Sequence, residues 1–80
     1  MEMRDRIKAL RAQEPEVYGI CMHLLQNEEA AIEAAKSALS RLFACRAYFE
    51  SNAQERLRLA KRTAIRCAME IWSVRRSASS

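Results

Sequence analysis

One glycine and one proline punctuate eighty residues, so the chain has almost no positions built for tight turns. β-Branched residues are equally sparse, limited to Val17, Val74, Thr63 and five isoleucines. That scarcity removes the residues a pleated sheet prefers. No run of about eighteen apolar residues exists to cross a bilayer. The opening stretch Met1-Glu2-Met3-Arg4-Asp5-Arg6 lacks the apolar core of a signal peptide, so the expected location is the cytoplasm, with no membrane partner.

The three cysteines, Cys21, Cys45 and Cys67, are odd in number and contain no C-x-x-C pair. This spacing argues against a disulfide framework and a zinc site, and reads as buried thiols in a reducing compartment. His23, the single histidine, has no serine or cysteine at the spacing of a base and nucleophile. Glu29 and Glu33, four apart, read as surface charge rather than a cation site. Gly19 stands alone, with no phosphate-cradling loop around it. No enzyme, cofactor or metal is expected.

What remains is a helix-forming composition. Half of the residues are apolar and 30% are charged, with Ala, Leu, Arg, Glu and Met dominant. Met3, Ile7 and Leu10 give a short first helix a narrow apolar stripe. Pro15 suits the first turn of a second helix, with Glu14 and Glu16 at its positive end and Val17, Ile20, Cys21, Leu24 and Leu25 on its buried face. Asn27 breaks the chain and caps a third helix over residues 28–50. On that helix Ala31, Ile32, Ala35, Ala38, Leu39, Leu42, Phe43, Cys45 and Phe49 share one half, opposite Glu29, Glu33, Lys36, Ser37, Ser40 and Arg41. Ser51 or Asn52 caps a fourth helix running to about Val74, whose inner face is mostly small: Leu57, Ala60, Ala64, Cys67, Ala68 and Ile71. The expected architecture is all-α, a compact three-to-four-helix bundle over residues 1–76 with a disordered tail at 77–80.

Charge is unevenly spread. The formal total is +4, but residues 51–80 alone carry seven bases and two acids. A basic helix beside a mixed one is the electrostatic pattern of a chain that meets nucleic acid with one face and protein with another. A solvated basic surface accounts for the same pattern without a ligand.

The segment Leu24–Phe43, LLQNEEAAIEAAKSALSRLF, resembles region 2 of the sigma-70 family of RNA polymerase sigma factors, in its small extracytoplasmic-function type. Leu24 and Leu25 match the family's leucine pair, Asn27 its cap, Ala31 its alanine, Leu39 its aromatic, and Arg41-Leu42-Phe43 its closing triplet. Glu33 stands for the family's Asp, Ile32 for its Glu and Lys36 for its Gln. Downstream, Leu59-Ala60-Lys61-Arg62 lies on the family's Ile-Ala-Arg-Asn and Arg75-Arg76 on its basic end, whereas Glu55 replaces its tryptophan.

The resemblance implies docking on the clamp of core RNA polymerase through Glu29, Glu33, Lys36, Ser37, Ser40 and Arg41. It implies contact with promoter DNA near the minus-ten element through Arg56, Arg58, Lys61, Arg62, Arg66, Arg75 and Arg76. A full sigma factor carries a further helix-turn-helix domain. The chain is therefore expected to be either a piece of a longer protein or a free-standing sigma-like domain, with a second regulatory protein or self-association supplying further contact. The alternative is a helical interaction module, such as a sigma mimic, co-regulator or self-associating adaptor, that does not melt DNA.

Overall fold

The computed structural model describes residues 2–79, with side chains through Arg75. It is all-α: α1 spans Met3–Leu25, α2 Glu28–Phe43, α3 Arg46–Glu50 and α4 Ala53–Ser79. Cys21 of α1 meets Ala64 of α4, and Leu24 and Leu25 meet Ala68, so rising numbers face rising numbers and these two helices are parallel. Between α2 and α4 the order reverses, with Arg41 against Glu70 and Cys45 beside Leu59. The result is an up-down-up bundle of three long helices, 45 × 20 × 18 Å, with α3 as a short crossing piece.

The caps explain the boundaries. Asn27 Oδ1 accepts the Ala30 N–H at 2.9 Å, closing one of the open donors at the start of α2. Just before it, Gln26 adopts the left-handed conformation (φ 49°) and returns its N–H to the Met22 carbonyl, which ends α1. Of the two candidates for the α4 cap, Asn52 takes the role, accepting the Glu55 N–H at 2.9 Å. Ser51 instead donates its hydroxyl to the Ala47 carbonyl.

Two expected boundaries are corrected. Pro15 does not begin a helix; it lies inside the single helix α1. Its missing N–H leaves the Arg11 carbonyl without an intrahelical donor, at a cost of about 3 kcal/mol in an ordinary helix interior. Packing on both sides of Pro15 offsets it: Leu10 and Val17 both belong to the core assembly. The expected helix over residues 28–50 is also two helices, broken at Ala44 and Cys45, where no glycine or proline marks the place. Cys45 becomes extended (φ −94°, ψ 104°). The turn carries Tyr48 and Phe49 under α1, where the Tyr48 hydroxyl donates to Gln13 Oε1 at 2.9 Å and the Arg6 guanidinium covers the Phe49 ring at 5.2 Å. At its far end α4 runs past Val74 and takes in the backbone of residues 77–79 of the expected tail as helix. Ser80 and the side chain of Arg76 lie outside the described residues.

The core is made of small side chains. Ala30, Ala31, Ala34, Ala35 and Ala38 of α2 and Ala60, Ala64 and Ala68 of α4 are buried, and the larger buried side chains among the described residues are Tyr48, Phe49, Leu42, Val17, Cys21 and Cys67. Alanine faces allow close helix approach and leave little room for anything bulkier. Consequently several large apolar residues remain outside, including Ile32 and Phe43, which the helical period placed in the core.

Candidate functional site

The exposed side of α2 is a continuous strip. Glu29, Glu33, Lys36 and Ser40 lie on it, exposed, together with Ile32 and Phe43. The helical period alone assigns these two apolar residues inward, because it carries no information on how closely the alanine faces pack. Ser37 and Arg41, also expected on the docking face, turn towards α4 instead. Ser37 Oγ accepts the Cys67 thiol at 3.7 Å, and Arg41 pairs with Glu70. Four of the six expected docking residues therefore share an open face, and two tie that helix to its neighbour.

On α4, Arg58, Arg62 and Arg66 recur every fourth residue and are all exposed. At 1.5 Å per residue they form a ridge about 12 Å long. Lys61 is exposed beside it, and Arg75 is exposed further along the helix. Arg58 lies 3.4 Å from Glu55 in a water-facing pair. Arg56 departs from the expectation. Its guanidinium donates to the Tyr48 carbonyl at 3.2 Å and the Phe49 carbonyl at 2.7 Å, and so closes the end of α3. It fastens α3 to α4 and does not join the basic ridge. Arg76, the last expected DNA contact, has no described side chain.

The structure adds one grouping that linear distance concealed. Arg41 from α2 and Arg62 and Arg66 from α4 line a shallow cleft of about 200 Å³, floored by Leu42, Cys45 and Leu59 with Thr63 on its wall. Three arginines lining one concavity raise the local positive potential, which favours an oxyanion. Glu70 is their internal counter-ion. Its carboxyl is held below the ordinary glutamate value chiefly by the Arg41 hydrogen bond; burial opposes this, and the charges of Arg41 and then Arg66 add smaller lowering effects. The cleft lies on the seam where the exposed strip of α2 meets the ridge of α4.

Burial pushes the Cys21 thiol up to about 11, with the neighbouring Cys67 adding to the rise, so it stays protonated and unreactive at neutral pH. Among the described residues no group of three or more His, Cys, Asp or Glu side chains is placed to hold a metal ion. Nor is any helix among them long and apolar enough to cross a membrane. No protein-family model, curated protein or solved structure gives a significant match to this chain.

Proposed function

We propose that this chain is a sigma-region-2-like transcription module that docks on core RNA polymerase through the exposed strip of α2 and contacts promoter DNA through the arginine ridge of α4. The observation that carries this reading is the cleft at the α2–α4 seam, where Arg41, Arg62 and Arg66 converge beside the strip bearing Glu29, Glu33, Lys36 and Ser40. A partner seated on α2 and a phosphate backbone lying along α4 then meet at one edge. In this arrangement α2 supplies two exposed apolar contacts, Ile32 and Phe43, beside charged and polar groups of the kind found at an interface rim. The ridge supplies sequence-independent attraction to phosphates.

A second reading has its own support. Tyr48 is fully buried, Arg56 is engaged with backbone carbonyls, and Glu55 stands where the family has its tryptophan. These features favour a module that occupies the polymerase and DNA without holding unstacked bases, since base capture depends on exposed aromatic platforms.

Fluorescence anisotropy with a promoter-length duplex, across a salt series, tests the DNA half. Three phosphate contacts give a slope of log K against log salt of about −3, from roughly −0.9 per contact. Arg62→Glu with Arg66→Glu is expected to remove binding; undiminished affinity in that variant overturns the assignment. Co-purification with core polymerase tests the other half, and an unchanged yield for Glu33→Arg with Lys36→Glu rules out α2 as the docking face. Duplex binding with no opening of a fluorescently labelled fork selects the second reading.

A further inference from the structure

The side of the bundle formed by α1 and α4, away from the α2 strip, carries a stripe of exposed apolar residues. Ile65, Met69 and Trp72 are 47%, 50% and 44% exposed, and Leu24 beside them is 40% exposed. Three shallow depressions run into one another here, sharing Ile65, Leu24 and Met69 between them. On α4 the residues along this side are Arg58, Arg62, Ile65, Met69 and Trp72, spaced four and three apart, as in a helix-packing seam. On α1 the matching side reads Ala12, Glu16, Gly19 and His23, with the same spacing and all exposed. One seam is large and basic. The other carries two small residues, Ala12 and Gly19, and an acid, Glu16.

We propose that a second copy of this chain covers this face, with α1 of each protomer packed on α4 of the other about a two-fold axis parallel to the helices. The register follows from contacts within one chain. Cys21 lies against the carbonyl of Ala64, forty-three positions later, and the helices are parallel, so Glu16 stands level with Leu59. A two-fold along the helices preserves level and exchanges α1 with α4. Glu16 of one copy then sits between Arg58 and Arg62 of the other, and the partner's Ile65 enters above Gly19. Pairing α4 with α4 would instead set arginine ridge against arginine ridge.

Gly19 supports the same arrangement from an independent direction. It lies in the interior of α1, where glycine costs about 1 kcal/mol relative to alanine. Nothing in its own chain requires it: its φ is not positive, and a Cβ built there meets no atom within 4 Å. A missing side chain opposite an exposed isoleucine is the shape a neighbouring helix fills. The eight-alanine core adds the energetic reason, since a small domain that keeps its larger apolar groups outside has the most to gain from association.

This pairing does not rest on the polymerase and DNA reading, although it shares Arg58 and Arg62 with the ridge. Sedimentation velocity over a concentration series from low micromolar to near millimolar is the measurement. The wild-type chain is expected to form a dimer and no larger species. Gly19→Leu, at an exposed position where an added Cβ meets nothing within 4 Å, and Glu16→Arg, on the surface, are each expected to weaken the dimer at least about tenfold, or roughly 1.4 kcal/mol. The combination Glu16→Arg with Arg58→Glu and Arg62→Glu is expected to restore it. A monomer across the whole series overturns the proposal, as does a dimer indifferent to both single substitutions. Thermal melting by circular dichroism identifies any variant that fails to fold, and duplex affinity of Gly19→Leu reports on the DNA reading separately.

Discussion

Arg41 and Glu70 form a two-pronged ion pair across the α2–α4 seam, with Nη2 to Oε2 at 2.6 Å and Nη1 to Oε1 at 3.4 Å. Both side chains are about half exposed, so water screens the pair and its effect on stability is small. Its consequence is electrostatic. Glu70 holds one of the three arginines of the cleft and lowers the potential that a phosphate would meet.

Replacing that carboxylate by an amide is therefore expected to strengthen nucleic-acid binding. Glu70→Gln frees Arg41, and the salt slope measured by anisotropy is predicted to steepen by about one further phosphate contact. The carboxyl is held lower in the folded chain, so its charge and the pair are lost at a lower pH than an ordinary glutamate would lose its charge. Unchanged affinity and slope in Glu70→Gln place the phosphates outside the cleft.

Arg56 and Arg62 separate a structural role from a binding one. Removing Arg56 leaves the Tyr48 and Phe49 carbonyls without their charged donor, and Arg56→Ala is expected to lower unfolding stability by about 1.5–3 kcal/mol. Duplex affinity of the folded variant should stay near wild type. Arg62→Ala should do the reverse, weakening binding with a urea midpoint close to wild type.

Alkaline pH is expected to unfold the chain through Cys21. The folded thiol titrates near 11 against 9.0 for an ordinary cysteine, so its contribution is intact below pH 9 and is lost as pH rises towards 11. Across that window stability falls by about 1.4 kcal/mol per pH unit from this group. Burial raises the Tyr48 hydroxyl as well, and its contribution has the same sign. Urea unfolding at a series of pH values is predicted to show a shallower alkaline decline in Cys21→Ala.

Pro15→Ala should stabilise the chain. Pro15 is exposed within α1, and restoring its N–H returns a donor to the Arg11 carbonyl. The gain is expected to be about 1–3 kcal/mol in urea unfolding, the range by which proline falls short of alanine in helix interiors. No gain would mean that α1 is already distorted at this point in a way the rest of the bundle requires.

Enlarging the alanine faces should have the opposite effect. Ala64 is fully buried where α4 meets α1, and Ala38 is fully buried on α2. Ala64→Leu inserts three carbons into a closely packed contact and is expected to cost about 1–3 kcal/mol or more, with the exposed Ala47→Leu as a neutral control.

Local chemistry accounts for what was legible in sequence. Scarce glycine, proline and β-branched residues made the chain all-α, Asn27 identified itself as a cap, the α4 cap was narrowed to Ser51 or Asn52, and the spacing of Ala60, Ala64, Cys67 and Ala68 marked the inner face of α4. Such signals act over one or two helical turns, so neighbours along the chain suffice to read them. Tertiary packing decided the rest. Pro15 stays in a continuous helix because α1 packs on the core on both sides of it, through Leu10 and Val17, and the helix expected to reach residue 50 breaks at Cys45 because Tyr48 finds Gln13 and Phe49 finds Arg6. Arg56 left the basic ridge for two backbone carbonyls, while Arg41 joined Arg62 and Arg66 from another helix. Periodicity places a side chain on a face; only the packed bundle determines which charged group that face meets.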